Sequence, residues 1–324
     1  REVQEQFGFL TDGMASYELH SLLKLSRAER LEVGALESLV SRYKYGVTRS
    51  EWDSPELRAR LQRAREIVRE RVQGQDVAVA RVLDLVKRAA LGLAAGVAGK
   101  SHRPRGVLFF AGPTGVGKTE MAKALAEILF GSEDRLERFD MSEYGAAHAD
   151  QRLLGAPPGY IGYEEGGQLT NRVKEHPFSV LLFDEIDKAH SRIFDKFLQI
   201  LDDGRLTDGK GDTVYFSESV IIFTSNLGTA ELAQDRESSA AESGDGDTAG
   251  PVPPPEEVRE TILGAITRFF TRDLRRPEIL NRFGDNFVVF DYIRPPMHEA
   301  ILDLLIKRLQ QALLKERRIT LTVA

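Results

Sequence analysis

Residues 112–119, with the sequence GPTGVGKT, constrain this chain more than any other stretch, because they fit the pattern G-x-x-x-x-G-K-[ST] of a phosphate-binding loop. The glycines of such a loop let backbone N–H groups turn towards phosphate oxygens, its lysine reaches the β- and γ-phosphates, and its hydroxyl holds Mg²⁺. An apolar run at 106–111 predicts a strand before the loop, and residues 120–127 predict a helix after it. This setting favours a nucleotide site over an ordinary glycine-rich turn. The predicted contacts are Gly112, Pro113, Thr114, Gly115, Val116, Gly117, Lys118 and Thr119.

The composition lacks the marks of a nucleic-acid or membrane protein. The length of 324 residues suggests one large domain or two smaller ones, and the hydrophobic fraction of 42% is enough for a sizeable core. The net charge of −6 does not favour nucleic acid, and no apolar run approaches the roughly 18 residues of a membrane helix. There are no cysteines, which suits a cytoplasmic location. Because the chain starts at Arg1 rather than Met, we expect it to be a piece of a longer protein.

Short apolar runs alternate with helical patterns from residue 107 onwards, which predicts an α/β fold with a parallel sheet. Residues 1–66 are rich in charge and leucine and predict a helical leader or linker. Residues 235–256 are acidic and rich in serine, glycine and proline, which predicts a disordered surface insertion in a large subdomain at 67–291. Residues 292–324 predict the beginning of a small C-terminal subdomain. The predicted strands are 107–111, 136–140, 180–183, 220–224 and 286–290.

Two further strands end in polar residues that suit hydrolysis. Asp184 and Glu185 follow the apolar run 180–183, where Asp184 is placed to hold Mg²⁺ through water and Glu185 to orient an attacking water. Acids at a strand end are common surface features, but the upstream phosphate loop favours the catalytic interpretation. Asn226 follows the run 220–224, and its amide suits hydrogen bonds to the water and the γ-phosphate. A simple turn role for Asn226 is the alternative.

A basic element lies far along the chain at residues 275–282. Hydrolysis benefits from a cation at the γ-phosphate in the transition state, and a neighbouring subunit often supplies it. An ordinary surface salt-bridge helix is the alternative. The residues by themselves do not choose among Arg275, Arg276 and Arg282.

Several long motifs, taken in order, resemble the second ATPase module of the Clp/heat-shock-100 class of AAA+ unfoldases, most closely the ClpB disaggregase type. The resemblance spans roughly residues 72–322. It implies the AAA+ P-loop NTPase fold, which is a five-stranded parallel sheet with helices on both faces and a helical lid, here truncated. The motifs are GPTGVGKTE (112–120), RFDMSEY (138–144), RLLGAPPGYIGYEEGGQLT (152–170), LLFDEIDKAH (181–190), LQILDDGRLTDGKG (198–211), IIFTSNLG (221–228) and RPEILNR (276–282).

The resemblance also implies roles for matching residues. Glu185 would activate water, Asn226 would sense the γ-phosphate, and Arg282 would be the arginine finger acting on the neighbouring subunit. ATP and Mg²⁺ are the implied cofactors, and the implied phosphate and metal contacts are Lys118, Thr119 and Asp184.

Two other stretches match positions that contact ligands in the family. Val72 and Gln73 stand where the family lines its adenine pocket, although the family usually has an aliphatic residue in place of Gln73. Tyr160 and Ile161 lie in the GYIG motif of the axial pore loop. Glycines let such a loop move, and an aromatic ring grips polypeptide by apolar contact without reading its sequence. A tyrosine packed on a neighbouring helix is the alternative.

The resemblance implies a motor that hydrolyses ATP in a homo-oligomeric ring, expected to be a hexamer, and threads unfolded or aggregated polypeptide, with a chaperone partner or adaptor. Two departures bear on this expectation. The chain ends before the rest of the small subdomain and its second sensor arginine, and residues 228–257 contain no docking tripeptide of protease-coupled relatives. A protease-associated unfoldase is therefore the second hypothesis. An ATP-binding regulatory or assembly module, such as a secretion-system remodeller, is the third.

Overall fold

The computed structural model describes residues 8, 10, 11, 14, 16–29, 36–46, 50–92, 103–146, 148–160, 163–243 and 251–321. Its helices are α1 (Ser16–Glu29), α2 (Leu36–Tyr45), α3 (Pro55–Gln62), α4 (Ala64–Arg69), α5 (Asp76–Ala90), α6 (Lys118–Phe130), α7 (Ala149–Leu154), α8 (Gln168–Glu175), α9 (Ser191–Asp203), α10 (Thr229–Ser243), α11 (Pro255–Arg268), α12 (Pro277–Phe283) and α13 (Met297–Arg317). Its strands are β1 (Gly106–Ala111), β2 (Leu136–Asp140), β3 (Val180–Asp184), β4 (Arg205–Thr207), β5 (Thr213–Tyr215), β6 (Val220–Ser225) and β7 (Phe287–Val289).

Five strands form one parallel sheet in the order β2-β3-β6-β1-β7, which confirms the predicted architecture. The central strands β3 and β6 are buried along their whole length, and β1 is buried except at one partly exposed residue. This is why each is a nearly continuous apolar run in the sequence. A second, antiparallel pair, β4–β5, was not predicted.

Alternate residues of the strands enter two separate cores, one on each face of the sheet. Leu108 and Phe110 face the helices α3 to α6, while Phe109 faces α9, α11 and α12. The second core is aromatic, and the ring centroids of Phe183 and Phe197 lie 4.6 Å apart. The predicted covering of both faces by helices is therefore confirmed.

The predicted boundary at residue 66 is wrong, because residues 50–66 belong to the first core. The ring of Trp52 packs edge-on against Phe130 on α6, with centroids 5.3 Å apart. Arg60 donates hydrogen bonds to the carbonyl oxygens of Ile128 and Leu129 at 2.9 and 3.0 Å, at the end of α6. The apolar residues of α3 and α4 share one helical face, but the many charges on the other faces hide that pattern in the sequence. The apolar residues of this face are Leu57, Leu61, Ala64 and Val68.

The earlier helices α1 and α2 make a small core of their own around Leu22 and Leu39. They contact the β4–β5 hairpin, where Tyr215 donates a hydrogen bond from its hydroxyl to Glu18 at 2.8 Å. Residues 16–29 and 36–45 are helical, in agreement with the helical pattern of this part of the sequence.

The predicted disorder at 235–256 is wrong for two parts of that segment. Helix α10 extends to Ser243, and α11 already begins at Pro255. Alanine, glutamate and glutamine support a helix intrinsically, and Leu232 anchors α10 in the second core. Residues 251–254 have no regular secondary structure, and residues 244–250 lie outside the described residues.

Helix α13 returns to the phosphate-loop side of the molecule. Arg308 on this helix forms an ion pair with Glu120 at 3.3 Å and donates to the carbonyl oxygen of Glu70 at 3.0 Å. Glu120 directly follows the phosphate loop, so α13 is tied to the beginning of α6. Within the part of the chain that the structure describes, no helix is both long enough and apolar enough to span a bilayer.

Candidate nucleotide site

The phosphate loop joins the end of β1 to the first turn of α6. Gly112, Gly115 and Gly117 have φ angles of 150°, 80° and 105°, which side-chain-bearing residues rarely adopt. A Cβ atom on Gly112 would also lie 2.4 Å from the carbonyl oxygen of Phe290. The loop thus curls over the N-terminus of α6, whose first N–H groups have no partner within the helix. This arrangement fits an anion such as a phosphate chain.

Lys118 begins α6, and its side chain folds back under the loop. Its Nζ donates to the carbonyl oxygens of Gly112 and Pro113 at 2.6 and 2.8 Å, and to Oδ1 of Asn226 at 2.8 Å. Burial lowers the pKa of Lys118 to about 8, against the opposing pull of nearby carboxylates. The side chain is therefore a desolvated cation held by neutral acceptors beside the anion cradle.

Asn226 links the loop to the acidic strand end. Its Nδ2 donates to Oε1 of Glu185 at 3.3 Å, so Lys118, Asn226 and Glu185 form one chain of hydrogen bonds. This meeting follows from the sheet order, because β6 lies between β1 and β3. Three of the residues singled out in the sequence therefore lie together at the carboxyl edge of the sheet.

Glu185 has a left-handed backbone conformation, with a φ angle of 55°. Such a conformation is costly for a residue other than glycine, and strain of this kind concentrates at functional sites. The backbone N–H of Glu185 donates to Oγ1 of Thr224 at 3.0 Å, and the Thr224 hydroxyl donates in turn to Asp184. Thr224 was missed in the sequence. A buried threonine next to the end of an otherwise apolar strand is the signal that points to it.

Asp184 is largely buried, and its two carboxylate oxygens have different partners. Oδ1 accepts from Thr224, and Oδ2 accepts from the guanidinium of Arg138 at 2.6 Å. A cationic group therefore already lies against this carboxylate, which fits a position for Mg²⁺. Thr119 lies in the first turn of α6, directly after Lys118, whose amine interacts electrostatically with Asp184. Arg138 was not singled out in the sequence, since an arginine on an edge strand usually marks only a solvated face.

The two predicted adenine-pocket residues, Val72 and Gln73, make different contacts. Val72 is buried, and its Cγ1 lies 3.4 Å from the position that a Cβ on Gly117 would take. Gln73 instead donates from its amide to the carbonyl oxygen of Arg69 at 2.5 Å. Gln75, which was not singled out, exchanges two hydrogen bonds with the backbone of Asp291 at 2.8 and 3.0 Å. These two bonds hold the residue before α5 against the segment that follows β7.

Arg282 lies on α12 and forms an ion pair within its own chain, with 2.5 Å between its Nε and Oδ1 of Asp202. Arg103 contacts the same carboxylate at 3.5 Å. Arg276 pairs instead with Asp195 on α9 at 3.0 Å. The structure therefore places Arg282 with α9, and its predicted role towards a neighbouring subunit stays a prediction.

Tyr160 is 65% exposed, which excludes the packed alternative within this chain. Gly159 beside it has a φ angle of 87°, and a Cβ there would meet no atom within 4 Å. Ile161 lies outside the described residues. The tyrosine ring is therefore available to a partner.

A parallel sheet in this strand order, with a phosphate loop between β1 and α6, defines a P-loop nucleoside triphosphatase module. The family model described as "AAA domain (Cdc48 subfamily)" matches residues 103–286. The chain belongs to this AAA domain family.

Curated relatives and a solved structure agree with the Clp-type resemblance. The chain is 45% identical over 266 residues to "Chaperone protein ClpB" of Clostridium perfringens, a match that covers 82% of this chain and 28% of that protein. It is 47% identical over 263 residues to the ClpB of Bacillus cereus, again covering 28% of that protein. A closed-state cryo-EM reconstruction of Hsp104 with ATPγS and FITC casein gives a TM-score of 0.67 at 33% identity and covers 85% of this chain and 43% of that chain. The chain thus spans little more than a quarter of the length of these curated relatives.

Proposed function

We propose that this chain is the ATP-hydrolysing module of a ring-forming protein unfoldase or disaggregase. The observation that carries the proposal is the chain of hydrogen bonds from Lys118 through Asn226 to Glu185, at 2.8 and 3.3 Å. It joins the group that holds phosphate to the group that activates water. Hydrolysis requires a water-activating group close to the bound phosphate, and this chain of hydrogen bonds brings the two groups together.

The proposed roles follow from the position of each side chain. The loop glycines and Lys118 hold the phosphate chain, and Thr119 and Asp184 hold Mg²⁺. Mg²⁺, when bound, neutralises charge on the phosphate oxygens. Glu185 orients the attacking water and accepts its proton, and Asn226 holds the water and the γ-phosphate oxygen.

In a ring of subunits, Arg282 of one subunit would complete the nucleotide site of its neighbour. The arginine is partly exposed and held by Asp202, so it would leave an ordinary surface ion pair to reach the phosphate of a neighbouring subunit. A cation supplied in this way stabilises transition-state charge. A homo-oligomer, for which we propose a hexamer, is needed for the arrangement.

Tyr160 is the residue through which ATP hydrolysis would act on a polypeptide substrate. Its exposed ring, next to a glycine with a φ angle of 87°, suits contact with polypeptide of any sequence. The relatives are named as chaperone proteins, and the Hsp104 reconstruction includes casein. We therefore propose unfolded or aggregated polypeptide as the substrate in the cytoplasm, with a chaperone partner or adaptor.

The hydrolytic proposal is tested with Glu185→Gln. The amide cannot accept the proton of water, so turnover of ATP should fall by about 10²-fold or more while nucleotide binding persists. Glu231→Gln is the matched control, because Glu231 is an exposed acid paired with Arg268. Wild-type turnover in Glu185→Gln would show that another group acts as the base.

The mechanical proposal is tested with Tyr160→Ala in an assay of unfolding of a tagged protein. Unfolding should fall by about tenfold or more, because the aromatic contact is lost. Tyr17→Ala is the control, since Tyr17 on α1 is 63% exposed and similar in kind. Equal unfolding by Tyr160→Ala and wild type would favour the ATP-binding regulatory or assembly module.

A further inference from the structure

The segment that carries Tyr160 begins at Gly155 and ends at Gly167, and its two ends lie against each other. A Cβ on Gly167 would lie 2.2 Å from the carbonyl carbon of Leu154. A Cβ on Gly155 would lie 3.1 Å from the nitrogen of Gly167, and Gly155 has a φ angle of 96°. The two backbones are therefore in direct contact, at a distance that only glycine permits.

The turn of the β4–β5 hairpin packs against the backbone at the beginning of this segment. A Cβ on Gly209 would lie 2.4 Å from the carbonyl oxygen of Ala156, and the N–H of Gly209 donates to the carbonyl oxygen of Leu154 at 3.1 Å. Three backbones thus meet at what we call the glycine junction, which consists of Gly155, Gly167 and Gly209. The hairpin turn closes the base of the segment from outside.

The hairpin turn is held rigid by its own side chains. Asp208, whose side chain is 1% exposed, accepts from the N–H groups of Lys210 and Asp212 at 2.9 Å each. Lys174 on α8 binds both acids, Asp208 at 2.8 Å and Asp212 at 2.9 Å. Because α8 starts directly after Gly167, these ion pairs tie the turn to the helix that follows the Tyr160 segment.

One side chain reaches from the turn into the segment itself. Nζ of Lys210 donates to the carbonyl oxygen of Glu164 at 2.7 Å. The carbonyl oxygen of Glu165 next to it accepts from Nδ2 of Asn171 on α8 at 2.8 Å. The returning arm of the segment is therefore held from two sides, whereas Tyr160 remains exposed.

The same hairpin is continuous with the nucleotide site. It starts at Gly204, directly after α9, and its other strand leads through buried Phe216 to β6, which ends at Ser225, directly before Asn226. The N–H of Phe216 donates to the carbonyl oxygen of Gly204 at 2.8 Å and closes the base of the hairpin. The turn is thus joined to the Glu185 side of the site through α9 and to the Asn226 side through β6.

We propose that the hairpin turn at residues 208–212 is the anchor through which the nucleotide site positions the Tyr160 segment, with Lys210 as a positioning residue. The inference rests on the proposed function for the role of Tyr160, but the anchor itself is a property of this fold. It assigns to β4–β5 a part in polypeptide handling without direct contact with polypeptide.

The test is amide hydrogen exchange of Lys210→Met, followed in peptides that cover residues 163–167. Loss of the bond to Glu164 should speed exchange there by about fivefold, since the returning arm opens more often. Lys210→Arg retains a donor and should exchange like wild type. Lys307→Met removes an exposed lysine on α13 and serves as the matched control. Unchanged exchange in Lys210→Met would overturn the anchor.

A second measurement separates positioning from simple loosening. The KM of casein for stimulation of ATP hydrolysis should rise about fivefold in Lys210→Met, and Lys210→Arg should restore it. An unchanged KM would overturn the positioning role. If exchange accelerates while Tyr160→Ala unfolds protein like wild type, the anchor stands and the proposed threading function fails.

Discussion

Lys118 and Asn226 are 108 residues apart in the chain, yet Nζ of the lysine donates to Oδ1 of the asparagine at 2.8 Å. The bond joins the phosphate loop to the end of β6. The amide nitrogen Nδ2 of the same asparagine donates to Glu185. Asn226 therefore connects the two chemical halves of the candidate site, and several predictions depend on this geometry.

Replacing Asn226 with alanine should separate binding from hydrolysis. The variant Asn226→Ala keeps the loop and Lys118, so a fluorescent ATP analogue should still bind. The water loses its amide partner, and turnover should fall by about 10²-fold. Steady-state release of phosphate checks this, and wild-type turnover would return Asn226 to the role of a turn residue.

Nucleotide affinity should depend on pH through Lys118. Burial lowers its pKa to about 8 in the nucleotide-free protein, against Asp184, Glu185 and Asp187, which raise it. The phosphate chain binds the protonated amine, so binding takes up a proton above pH 8. Affinity should thus be flat below this pH and fall above it by about tenfold per pH unit.

The pH dependence is measured as the Kd of a fluorescent ADP analogue between about pH 7 and 9.5, across the range where the amine titrates. Lys118→Arg keeps its charge throughout this range and should remove the dependence, whatever its affinity. A slope that persists in Lys118→Arg would assign the titration to another group.

Arg138→Gln should strengthen metal binding. Arg138 contacts Oδ2 of Asp184 at 2.6 Å, so Mg²⁺ has to displace the guanidinium into the groove lined by Glu143 and Glu175. The arginine side chain is 53% exposed, which limits the ion pair to about 1 kcal/mol, or about fivefold in metal affinity.

The metal prediction is checked by titrating Mn²⁺ into the ADP-bound protein and following the free ion by electron paramagnetic resonance. Arg172→Gln is the control, because Arg172 lines the same groove but pairs with Glu137. Weaker Mn²⁺ binding in Arg138→Gln would mean that Arg138 supports the site instead of competing for it.

Leu57→Ala should destabilise the whole ATPase module. Leu57 on α3 is 1% exposed within the first core, so the change should cost about 2–5 kcal/mol of unfolding free energy. Leu23→Ala on α1, where the leucine is 47% exposed, should cost less than about 0.5 kcal/mol. Urea unfolding measures both, and equal small effects would restore the boundary at residue 66.

Local patterns in the sequence were enough to predict the parallel sheet and to single out residues that meet at the candidate site. Each sheet strand is a short apolar run, and the residues at their ends belong to long motifs, so local pattern was enough for Lys118, Glu185 and Asn226. Patterns failed where charges surround a narrow apolar face, as in α3, and where alanine-rich polar sequence forms a helix, as in α10.

Which side chains touch depends on how the elements pack. Thr224 and Arg138 reach Asp184 because β6, β3 and β2 are neighbours, and no spacing along the chain records that order. The glycine junction likewise depends on three backbones from distant stretches meeting at Gly209. Local propensities set the elements, but contacts across the sheet and between loops arise only when the elements pack, because they join residues that are distant in the sequence.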